Sequence, residues 1–145
     1  MVELIVSFTI MAILTSMSVP LAAYRVKRDK ERELRYALRE IRHAIDGYKD
    51  ASLAGKIDIK LGTEGYPESL EILVKGVKLS QSADGKTIKF LRRIPKDPMT
   101  GQYDWGMRSM QDDPKSTSWG GQNVFDVYSK STERARDGTP YADWN

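Results

Sequence analysis

The stretch that decides the fold is Leu4–Tyr24, LIVSFTIMAILTSMSVPLAAY, with the charged run that follows it at once, RVKRDKERELRYALREIRHAIDGYKDASLAGK (Arg25–Lys56). The first part holds 21 residues without a charge, which as a helix extend about 31 Å and match a bilayer core. A membrane span is the expected reading. No basic region precedes the run, it is longer than a signal-peptide core, and an amphipathic pattern continues directly out of it. The small residues Ala22–Ala23 leave a cleavable signal as the alternative.

In the charged run Leu34, Leu38, Ile41, Ile45 and Tyr48 recur at intervals of 4, 3, 4 and 3, which places one apolar stripe on an otherwise polar helix. No glycine or proline falls between Pro20 and Gly47. The spacing therefore predicts a single helix from Leu4 to Leu53, about 75 Å long, with Gly47 inside it and Gly55 as its stop. Its first half lies in lipid, and its second half lays the stripe on whatever follows. Residues 1–24 form the membrane element and residues 25–145 a globular domain that includes the amphipathic half of the helix.

Two residues in the apolar part stand out. Glu3 is its one ionisable side chain, and a carboxylate at full membrane depth costs about 2.5–3.5 kcal/mol unless it reaches a headgroup or a cationic partner. In an assembly of identical chains the α-amine of a neighbour is such a cation. Pro20 removes a backbone donor and clashes with the carbonyl of Ser16, so a kink is expected there. Thr15, Ser16 and Ser18 are placed to satisfy freed carbonyls.

After Gly55 glycines and prolines are dense, and short elements joined by turns are expected. Pro67–Val74 reads as a short helix with Pro67 at its first position. Thr87–Ile94 and Asn123–Tyr128 read as strands, with Tyr103–Met107 as a third. A small antiparallel sheet against the helical stripe gives an α+β domain.

The chain has 145 residues, enough for one ordinary domain, and 23 Lys+Arg against 20 Asp+Glu leave a net charge of +3. That surplus does not call for nucleic acid. The absence of cysteine excludes disulfides, thiolate zinc sites and a cysteine nucleophile. There is no Gly-x-Ser-x-Gly elbow, phosphate-binding glycine loop or His-Glu-x-x-His, so no enzymatic activity is expected. His43 lies away from the stripe and reads as solvated. Trp105, Trp119 and Trp144 read as plugs of a small core. Asp126, Asp137 and Asp143 either supply oxygen ligands to Ca²⁺ or make Asx turns and caps.

The start Met-Val-Glu-Leu-Ile-Val, the apolar run ending in Pro20 and the long charged helix resemble the mature N-terminus of the type IV pilin superfamily. LRRIPKDPMTGQYDW (Leu91–Trp105), VFDVYSKS (Val124–Ser131) and DGTPYADW (Asp137–Trp144) resemble the G-type major pseudopilin of type II secretion. The resemblance covers nearly the whole chain. It implies a pilin-like fold, and it implies that Glu3 pairs with a neighbouring subunit's amine and that Pro20 marks a locally melted segment in a filament. It further implies a homopolymeric periplasmic filament working with minor pseudopilins and an inner-membrane assembly platform, after cleavage of a basic leader by a prepilin peptidase. The basic cluster Arg25, Lys27, Arg28 and Lys30 alone would put that side in the cytoplasm, whereas the family orientation puts the head in the periplasm. Major pseudopilins commonly hold Ca²⁺ in an acid-rich loop after Tyr-Ser. Here Tyr128–Ser129 leads into KSTERAR, and Asp137 and Asp143 are the nearest acidic candidates. A type IV pilin for adhesion, motility or DNA uptake, a single-span anchored binding module and an anchored DNA-binding domain are the alternatives.

Overall fold

The computed structural model describes the backbone of all 145 residues, and the side chains of all but Ser18 and Val19. It is an α+β arrangement built on one long helix, α1 (Val2–Leu53, 52 residues). The helix passes through Pro20 without a break. Thr15 Oγ1 donates to the Met11 carbonyl at 2.7 Å and Ser16 Oγ to that of Ile13 at 2.8 Å. These hydroxyls thus return to their own preceding turn, while the Ser18 hydroxyl, expected to help at Pro20, lies outside the described residues. At the far end Lys56 N–H bonds the Ala51 carbonyl and Gly55 N–H that of Ser52, with Gly55 at φ +69°. That is a Schellman stop, and it requires a residue free to adopt positive φ.

The stripe Leu34, Leu38, Ile41, Ile45 and Tyr48 is buried, and Ala37, Ala44 and Ala51 are buried beside it. These alanines recur every seven residues, so each lets the rest of the head approach the helix backbone between larger neighbours. Leu70, Leu73, Leu91, Trp105, Val124, Val127 and Tyr141 complete the core from the other side. His43 is exposed.

The second helix, α2 (Leu70–Lys75), is shorter than expected and does not use Pro67 as its first residue. The Pro67 carbonyl accepts the Val124 amide at 2.7 Å, which holds the chain extended until the cap residue Ser69 (φ −155°, ψ 164°). In place of one small sheet there are two separate antiparallel ribbons. The first joins β1 (Val77–Lys78) to β2 (Thr87–Ile88), and the second joins β3 (Gly106–Arg108) to β4 (Asp126–Tyr128). The expected strand Thr87–Ile94 ends after Ile88 because the amides of Phe90 and Leu91 both turn to the Leu73 carbonyl of α2, each at 3.0 Å. Pro95 and Pro98 then offer no donors to continue a ladder. Asn123 is likewise drawn out of the expected strand, since its side chain accepts the Met110 amide and donates to Gln111. Helix α1 packs on β4 and α2, and a 3-10 turn at Tyr141–Asp143 closes on β4.

Candidate functional site

The feature that sets this chain apart is the free half of α1. Leu4, Ile5, Phe8, Met11, Leu14 and Met17 are each more than 60 % exposed, on a helix long and apolar enough to cross a membrane. Exposed apolar surface of that extent calls for lipid or another apolar partner. Glu3 lies in the first turn of α1, where a carboxylate complements the helix dipole. Among the described residues it makes no hydrogen bond or ion pair within the chain. Pro20 lies about 25 Å further along the same rod.

The head grips α1 through polar ties that the apolar stripe did not announce. Arg42 Nε donates to Asp126 Oδ1 at 2.7 Å, and its Nη2 donates to the carbonyls of Val127 at 3.2 Å and Trp144 at 3.1 Å. The hydroxyl of the fully buried Tyr141 donates to Glu31 Oε1 at 2.7 Å. Burial first, and then the Glu31 carboxylate, push that phenol well above its ordinary pKa. Trp144 stacks edge-on against Tyr141 and carries the Arg35 guanidinium 4.4 Å from its ring centre. Lower on the helix, Lys27 Nζ donates to the Arg134 carbonyl at 3.2 Å, and the Arg136 guanidinium lies 4.0 Å from the Tyr24 ring centre.

A second tie joins two of the segments quoted above. Asp97 is fully buried, and its Oδ1 accepts the Met99 amide while its Oδ2 accepts the Ser129 hydroxyl at 2.6 Å. The Leu91–Trp105 segment is thereby fastened to Val124–Ser131. Trp105 is buried with its Nε1 donating to the Pro95 carbonyl, whereas Trp119 is partly exposed and donates to that of Asn123. The signal for Asp97 was in its sequence context, since Asp-Pro followed by Thr-Gly is a turn in which the carboxylate caps a nearby amide. Arg42 carried no such signal, because periodicity reports apolar positions only.

The acidic residues considered for calcium do not assemble into a cage. Asp126 is held by Arg42 and by the Val127 amide. Asp137 makes an Asx turn in which Oδ1 accepts the Thr139 amide at 2.9 Å, and that bond lowers its pKa. Asp143 sits in the 3-10 turn. No cluster of three His, Cys, Asp or Glu side chains placed to hold a metal ion occurs among the described residues.

No family model, curated protein or solved structure matches this chain.

Proposed function

We propose that the chain is a structural subunit that assembles through α1 into a membrane-rooted helical filament, in the manner of a type II secretion pseudopilin. The observation that carries this reading is the continuity of one helix whose first half is apolar and bare while its second half buries one face against a folded head. A mere anchor has no need of Glu3. A carboxylate with no partner in its own chain, at the start of an apolar rod, supplies register when it meets a cationic group of a neighbour, and hydrophobic helix packing supplies cohesion. The segments Leu91–Trp105, Val124–Ser131 and Asp137–Trp144 support the pseudopilin type by resemblance. With that type come an inner-membrane root, a periplasmic head, and a mechanical rather than catalytic role in protein export.

The test is electron microscopy of the full chain expressed with its assembly machinery. Glu3→Leu and Glu3→Ala are expected to insert and to keep the head's melting temperature, yet to form no filaments. Filaments of normal number and length from either variant overturn the role given to Glu3. A variant that remains monomeric alongside an equally monomeric wild type points instead to an anchored binding module.

A further inference from the structure

The stripe that packs into the head does not stop where the head's core stops. Continued toward the N-terminus from Leu34 at the same spacing it meets Glu31, Lys27, Tyr24 and Pro20. This extension lines an open groove of about 690 Å³, roofed by Arg136 from the C-terminal segment. The head therefore overhangs the end of the apolar run on this one face, and the space beneath it is part solvent-facing and part span-facing.

Its two ends differ chemically. Pro20 and Ala23 belong to the uncharged run and give the lower end an apolar wall. One turn higher, Lys27, Arg28 and Arg136 bring three cations to the groove against the single carboxylate of Glu31, which already accepts the Tyr141 hydroxyl. Arg28 makes no hydrogen bond or ion pair within the chain among the described residues. Lys27 gives one of its three donors to the Arg134 carbonyl. The Arg136 guanidinium carbon lies over the Tyr24 ring, and among the described residues none of its N–H groups makes a hydrogen bond within the chain, so they remain able to donate. Tyr24 marks the boundary, since an amphipathic ring sits at the level where hydrocarbon gives way to headgroups. From Tyr24 to Lys27 and Arg28 the helix rises about 5 Å, which is the depth of a headgroup layer.

We infer that this groove binds the headgroup of an anionic phospholipid in the leaflet from which the head emerges. Lys27, Arg28 and Arg136 hold the phosphate, and the glycerol and first methylenes lie on Pro20, Ala23 and Tyr24. The occupant follows from charge complementarity at one end and from continuity with a bilayer-length apolar run at the other. The inference rests on α1 being a membrane span, and one lipid so placed would fix the height of the head above the bilayer.

The experiment uses the full chain in neutral detergent, titrated with phosphatidylglycerol or phosphatidylcholine and read by native mass spectrometry. A basic residue near an anionic surface is worth on the order of fivefold in binding, so three favour phosphatidylglycerol by roughly a hundredfold. Arg28→Gln with Arg136→Gln is expected to lose about 25-fold of that preference, while Lys86→Gln, in the exposed turn between β1 and β2, leaves it unchanged. Circular dichroism of the double variant checks that the head stays folded. Equal retention of the two lipids, or a preference that survives the double substitution, overturns the inference. So does displacement of the lipid by inorganic phosphate at equal concentration, which would make the site one for free anions. Alkaline extraction from phosphatidylcholine vesicles separates the underlying reading. A chain that stays in the vesicles without lipid preference overturns the groove alone, and a chain that is extracted overturns the span and the groove together.

Discussion

Replacing Arg42 by methionine isolates what one cation contributes to the joint between α1 and the head. Methionine keeps an aliphatic stem of similar reach, so the polar ties are chiefly what is lost. A hydrogen bond to an ionised partner contributes about 1.5–3 kcal/mol and a neutral one about 0.5–1.5 kcal/mol. Three such bonds leave Arg42, but the Arg42 and Asp126 side chains are 23 % and 30 % exposed, so water recovers part of the loss. Asp126 also keeps the Val127 amide at 2.8 Å. The expected destabilisation is about 2 kcal/mol, which for a head of this size lowers Tm by roughly 8 °C. The assay is thermal unfolding of the full chain in neutral detergent, followed by the near-ultraviolet signal of Trp105 and Trp144. A double-mutant cycle with Asp126→Asn should return a coupling of about 1 kcal/mol. A fall in Tm below about 2 °C, or a coupling indistinguishable from zero, refutes the view that Arg42 fastens the helix to β4 and the C-terminal segment.

Gly106→Ala probes the second ribbon, where an added Cβ would run into the ring of Tyr128, its cross-strand partner. That ring is held between the Arg108 guanidinium at 4.0 Å and a hydrogen bond from its hydroxyl to the Thr117 carbonyl. Overpacking there should cost about 1–3 kcal/mol in urea unfolding, and an unchanged midpoint would show that the ring moves aside freely. Asp112 governs the loop between β3 and β4, because its Oδ2 accepts the amides of Gly120 at 2.9 Å and Ser109 at 2.8 Å. The Gly120 amide above all, and then that of Ser109, hold its carboxyl below the ordinary 3.8. The group thus favours the folded loop at all pH above 3.8, and the benefit is lost as pH falls further through the depressed value. Amide resonances of Ser109 and Gly120 should shift in that acid range, and a flat response would remove Asp112 from the loop's support. In Asp112→Asn the same titration should vanish.

The long helix was legible because its signals are local and repeated. Leu34, Leu38, Ile41, Ile45 and Tyr48 report a period, and Gly55 reports a stop, without knowledge of anything distant in the chain. The sheet was less legible because its limits depend on remote competition for backbone donors. Phe90 and Leu91 look like strand residues, and only the nearby Leu73 carbonyl takes their amides away. Pro67 looked like a helix start until Val124 claimed its carbonyl. Asp126 and Asp137 show why a ligand list is weak when read from composition, since one answers a remote arginine and the other an amide two residues on. Of the free half of α1, the sequence displayed Glu3 and Pro20 plainly. The groove beneath the head stayed hidden, because Arg136 reaches Tyr24 across more than a hundred residues of chain.

The face that joins α1 to the head runs from Lys27 through Leu34 and Ile41 to Tyr48 in steps of seven residues. Seven residues fall short of two full helical turns by about 20°, so over three such steps the seam winds left-handed by about 60° in roughly 31 Å. The head is thus fastened along a gently twisted seam, so its tie at Lys27 and its core contact at Tyr48 face directions about 60° apart around the rod.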